Sequence, residues 1–172
     1  MNTRLAAILL LAGTASLAAC KTTAPDTLPP DPTPSTGTGT DTGPTTPVGA
    51  QPGTQAHFEQ EVGGQTVIYF DTDRYNVDSS DAAALQAQAQ YLGRYPSVTV
   101  TIEGHADERG TREYNLALGE RRANAAKNYL VSLGIDAARM QTLSYGKERP
   151  VALESNESAW ARNRRAASVV IN

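Results

Sequence analysis

One cysteine, Cys20, stands in 172 residues. It excludes an intrachain disulfide and any cysteine-rich metal centre. Histidine is nearly as scarce, with only His57 and His105, so a zinc site of three or four N/S/O ligands has little to draw on. Aromatic residues make up 6% of the chain, and 7 of them are Tyr; a core must be built from Ala, Leu, Val and Ile. Positive charge is not in excess. The net charge is −3 and no Lys/Arg-rich tract exists to neutralise phosphates, which excludes a nucleic-acid partner. No apolar run is long enough to span a bilayer; "LAAILLLA" at 5–12 falls well short.

What is present is unevenly placed. Arg4 supplies a positive start, "LAAILLLA" an apolar stretch and "TASLAAC" small residues, the order of an export signal. Leu17-Ala18-Ala19-Cys20 resembles a bacterial lipobox. That resemblance implies removal of residues 1–19 and lipidation of Cys20, including an acylated amine. One acyl chain holds a protein to a membrane only marginally, whereas several hold it durably. Lys21 follows the cysteine where an Asp often marks retention at the inner membrane, so the expected location is the periplasmic face of the outer membrane.

Residues 20–56 contain the lipidated Cys and a tether rich in Pro, Thr and Gly. Eight of the chain's 10 prolines lie there and no apolar periodicity does, so the segment cannot offset its ordering entropy by burial. Fully stretched, such a leash reaches roughly 120 Å.

The domain is expected at 57–172. "TVIYF" at 66–70 reads as a buried strand, followed by an Asp-rich loop. Ser79, Ser80 or Asp81 would cap a helix to 94 whose apolar stripe is Ala82, Leu85, Ala89 and Leu92. "SVTVTI" at 97–102 alternates as a second strand. Arg112 to Leu133 reads as a long helix with Leu116, Ala123, Ala126, Leu130 and Leu133 inward and Gly134 at its C-cap. "MQTLSYG" at 140–146 is a third strand, 156–165 a short helix and "AASVVI" at 166–171 a last strand. The order β-α-β-α-β-α-β predicts an α/β two-layer sandwich, a small mixed sheet covered by helices.

The chemistry is concentrated in "EGHADERGTRE" at 103–113. A strand continued to 107 would place Glu103, His105 and Asp107 on one face, but a metal lacks further ligands there. A hydrolase would use a pair of these carboxylates as acid and base. The nearby Arg109, Arg112, Arg121 and Arg122 would lower their pKa values, whereas a general acid needs a raised one. Glu108, Arg109 and Glu113 read as parts of a turn and an acidic helix start. Asp107, at a strand end, and Arg122, on the helix that returns beside it, would meet at one rim. Such a pair suits a zwitterion, the carboxylate taking an ammonium and the guanidinium a carboxylate.

The stretch "EGHADERGTREYNLALGERRANAAKNYL" at 103–130 resembles the signature of the OmpA-like peptidoglycan-binding domain family, whose shared core here is Gly104-His105-x-Asp107, Asn115, Leu118 and Arg122-Ala123-Asn124. "IYFDTDRYNV" at 68–77, "SYGKERP" at 144–150 and "ARNRRA" at 161–166 resemble the lipoprotein branch of that family, which also has Ala where Ala106 stands. The resemblance covers residues 66–172. It implies a binding module rather than an enzyme, with no cofactor. The implied ligand is the stem peptide of peptidoglycan, gripped at the ammonium and carboxylate of diaminopimelate. It assigns Asp107 and Arg122 to the grip, and Phe70 and Asp71 to the pocket wall. His105, Ala106 and Gly110 would shape the turn, Asn115 and Leu118 support it, and Arg164 approach from the last loop. It further implies membership of the Tol–Pal system, TolB as a partner, and a role in envelope integrity and cell division.

Overall fold

The computed structural model describes residues 50–171. The expected signal, Cys20 and the tether as far as residue 49 lie outside the described residues. The described residues include a helix that starts ahead of the expected domain start at His57. Thr54 Oγ1 accepts from His57 N at 3.2 Å and caps a helix, α1, over Gln55–Glu61. Phe58 of α1 is fully buried.

Four strands follow: β1 Val67–Tyr69, β2 Thr99–His105, β3 Met140–Gly146 and β4 Arg165–Ile171. Their order in the sheet is β1-β4-β2-β3. The helices between them are α2 Ser79–Arg94, α3 Arg112–Ser132 and α4 Glu157–Asn163, with a 3-10 turn at Ala137–Arg139. β2 and β3 run parallel because α3 carries the chain back between them. β4 enters the space between β1 and β2 antiparallel to both, pairing Val67 with Ala167 and Val100 with Val170. The expected mixed sheet and helical layer are both present.

The core lies between the sheet and α2 and α3. Alternation buries Val100 and Ile102 of β2, against which Leu85, Ala89 and Leu92 of α2 and Ala123, Ala126 and Leu130 of α3 pack. Some local expectations are corrected. The cap of α2 is Asp78, whose Oδ1 accepts from Ser80 N and Asp81 N, both at 3.1 Å. Asp81 instead spends its carboxylate on Tyr69 N at 3.0 Å, tying α2 to β1. In α3, Leu133 is the C-cap and 40% exposed, because Gly134, with φ of 93°, turns the chain away. Leu116 is only half-buried, and polar Asn115 and Arg122 take inward positions instead. β1 stops at Tyr69, so Phe70 lies just outside it, and β2 runs three residues beyond Ile102.

Candidate ligand-binding site

After His105 the chain leaves the sheet and must turn into α3. Asp107 Oδ1 accepts from Arg109 N at 3.1 Å, an Asx turn. Gly110 then adopts φ of 86°, which a residue with a Cβ rarely takes. Thr111 caps α3 by accepting from Tyr114 N at 3.2 Å, with Glu113 in the first turn. The turn is held from outside as well. Lys147 Nζ donates to Gly110 O at 2.7 Å and Glu108 O at 3.1 Å, and Asn115 Nδ2 donates to Arg109 O at 2.7 Å.

This turn walls a cavity of about 270 Å³. Asp107, Arg109 and Gly110 line it from the turn, Tyr114, Asn115, Leu118 and Arg122 from α3, and Thr72 and Asp73 from the loop after β1. The expected meeting of Asp107 and Arg122 at one place is therefore observed. Their individual roles differ from the simple rim pair. Arg122 is fully buried and donates to three main-chain carbonyls: Arg74 O at 2.9 Å, His105 O at 2.8 Å and Asp71 O at 3.0 Å. It fastens the loop after β1 to the end of β2. Its guanidinium also lies 5.2 Å from the centre of the Phe70 ring. Burial and the charge of Arg164 lower its pKa to about 10, against the pull of Asp107, so it remains a cation at neutral pH.

Asp107 is almost buried, its side chain 9% exposed. Burial pushes its carboxyl up, but hydrogen bonds from Arg109, that residue's charge and Arg164 together outweigh this and hold it below the usual carboxylate range. Arg109 makes two side-chain bonds, Nε to Oδ1 at 3.1 Å and Nη2 to Oδ2 at 2.7 Å. Arg164 Nη1 lies 3.4 Å from Oδ2.

Other expected site residues are redistributed. Phe70 and Asp71 line a neighbouring cleft of about 360 Å³ shared with Arg164, while the Phe70 ring also lies against Arg122. The chain has already left β1 at Phe70, and what reaches the Asp107 site is the Asp71 carbonyl bonded to Arg122. His105 is 2% exposed and lies beneath the site, stacked on Tyr145 with centroids 5.5 Å apart. Neither ring nitrogen has a hydrogen-bond partner, and burial with the charges of Arg165 and Arg149 lowers its pKa to about 4. The neutral ring 3.7 Å from Glu103 is thus not an ion pair. Ala106 points to a separate small pocket, its N–H bonded to Gly146 O at 2.8 Å. Gly110, Asn115 and Leu118 line the same cavity as Asp107.

Arg109, Thr72, Asp73 and Tyr114 were not among the expected site residues. Arg109 had a local signal only for its main chain, since an Asx turn brings the N–H two residues on to the Asp carboxylate. Asp73 and Tyr114 had none. Their 3.3 Å contact joins residues far apart in sequence.

This fold, with its charged cavity beside an Asx turn, defines the class. Residues 69–164 match the OmpA family, and the chain belongs to it. Its relatives carry a particular name: the Agrobacterium fabrum peptidoglycan-associated lipoprotein is 54% identical over 121 residues, which cover 70% of this chain and 67% of that one. The crystal structure of the peptidoglycan-associated lipoprotein from Burkholderia pseudomallei is similar at 49% identity and a TM-score of 0.60, covering 62% of this chain and 90% of the other. The cell wall anchor of the type VI secretion system from Pseudomonas aeruginosa shares the fold at 23% identity and a TM-score of 0.56, covering 71% of this chain and 100% of that one.

Proposed function

We propose that this chain is a lipid-anchored protein that holds the cell wall without chemistry. Cys20 would fix it to the periplasmic face of the outer membrane, the residues between Cys20 and α1 would serve as leash, and the domain would bind the peptidoglycan stem peptide at diaminopimelate. The observation that carries the reading is an ionised, nearly buried Asp107 sharing one cavity with the cations Arg109 and Arg122. A ligand bearing an ammonium and a carboxylate close together complements both signs. The names of the relatives support the wall as ligand. We extend the same reading to membership of the Tol–Pal system, with TolB as a partner and a role in envelope integrity and cell division.

The hydrolase alternative needs a carboxyl with a raised pKa near the bond to be cut. Asp107 is held low, and Glu108 is held low by hydrogen bonds from Trp160 and Ser155. Among the described residues the carboxyl raised by burial is Asp81, in the neighbouring cleft and bonded to Tyr69 N.

Sedimentation with purified sacculi tests the proposal. The parent chain should pellet with sacculi and release no soluble muropeptides, while Asp107→Asn should remain in the supernatant. Pelleting of Asp107→Asn at the parent level would remove the site from the proposal; muropeptide release would replace binding with hydrolysis.

A further inference from the structure

Asp107 is fully occupied before any ligand arrives. A carboxylate offers about four acceptor positions. Here Oδ1 accepts from Arg109 N and Nε, each at 3.1 Å, and Oδ2 from Arg109 Nη2 at 2.7 Å and Arg164 Nη1 at 3.4 Å. An incoming ammonium must displace one of them.

The donors differ in how firmly they are held. The N–H of Arg109 belongs to a turn braced by Lys147 and Asn115. Arg164 is 7% exposed at its side chain and braced at both ends, Nε to Phe70 O at 2.9 Å and Nη2 to Glu157 at 2.7 Å. The Arg109 side chain is 39% exposed. Apart from Asp107 its neighbours are weak: Thr72 Oγ1 at 3.4 Å, Glu157 at 3.9 Å and the Trp160 ring at 4.3 Å. That ring is a fixed platform, because its Nε1 donates to Glu108 at 2.8 Å. The Arg109 guanidinium can thus leave Asp107 and stay beside the cavity. Arg122 has no such freedom, with every nitrogen committed to main chain.

We propose that Arg109 is the exchangeable cation of the site and its specificity determinant. The ligand ammonium takes Asp107, and the displaced guanidinium closes on the ligand carboxylate. A group with both charges on one carbon, such as the end of diaminopimelate, replaces both halves of the broken pair. A lysine side chain replaces one half and leaves Arg109 without its partner. Arg109 therefore rejects lysine-type stem peptides. This rests on the cell-wall reading above.

Calorimetric titration of the full chain in detergent tests it, using L-Ala-D-Glu-meso-diaminopimelate and L-Ala-D-Glu-L-Lys. The parent should prefer the diaminopimelate peptide. Arg109→Gln should weaken that peptide about tenfold or more, the scale of a charge-assisted hydrogen bond. It should bind the lysine peptide no worse than the parent does, so that the preference collapses. Arg109→Lys should restore part of it. A parent-like preference in Arg109→Gln, or equal weakening of both peptides, would overturn the exchange while leaving the site standing. A parent chain that binds neither peptide would overturn the cell-wall reading and the exchange together.

Discussion

Arg122 is a cation in a place where cations are rarely fully buried unless paired. Its partners are three carbonyl oxygens rather than a carboxylate. Removing it takes the side-chain donor from each of them, although Asp71 O still accepts from Arg74 N at 3.2 Å. Arg122→Ala should therefore cost about 1–3 kcal/mol for each acceptor left unsatisfied, read from urea denaturation. Arg122→Lys, a point charge with no planar fork, should recover only part. A parent-like midpoint for Arg122→Ala would contradict the brace. The sequence pattern placed Arg122 beside Asp107. Its position was legible because a helix returning beside a strand brings those two residues together. Its role was not, because main-chain acceptors leave no trace in side-chain pattern. Phe70 and Asp71 likewise meet Arg122 through a ring face and a main-chain oxygen, which side-chain pattern does not record.

The elements were more legible than their contacts. Alternation in β2 and the stripe of α2 follow from burial on one side, which periodicity records. α1 escaped notice because one buried aromatic in seven residues makes no period. The closeness of β2 to α3 was also hidden. A Cβ placed on Gly104 would run into the carbonyl of Gly119, which belongs to helix backbone and cannot give way. The two glycines let strand and helix approach until main chains touch, which sets where α3 carries Asn115, Leu118 and Arg122. Gly104→Ala should thus destabilise by at least the 1–3 kcal/mol typical of overpacking. Thermal denaturation checks this, and unchanged melting would show that the helix can back away.

Acid should loosen the whole molecule in two stages. His105 titrates near 6.5 when unfolded and at about 4 when folded. The unfolded chain therefore binds the proton first. The stability that His105 contributes is complete above pH 6.5 and is lost as pH falls toward 4, up to about 3 kcal/mol in all. Asp107, held below its ordinary 3.8 when folded, adds a further loss only below that value. The groups facing the His105 ring are Glu103 on one side and the stacked Tyr145, with Arg149 and Arg165 supplying repulsion. Denaturation between pH 7 and 4 should show the parent losing stability and His105→Gln losing distinctly less. Parallel curves for the two would assign the acid sensitivity elsewhere.

The position of β4 has a consequence for how the chain comes into being. It is the latest strand in sequence and one of the two interior strands of the sheet. β1 meets it with Val67 on Ala167, and β2 with Thr99 on Ile171. Until residues 165–171 have been synthesised, β1 has no neighbour to pair with and β2 has only one. Of the earlier strands, β2 and β3 can pair with each other, whereas β1 must wait for the latest one. A polypeptide with this topology cannot complete its sheet until its latest strand has been made.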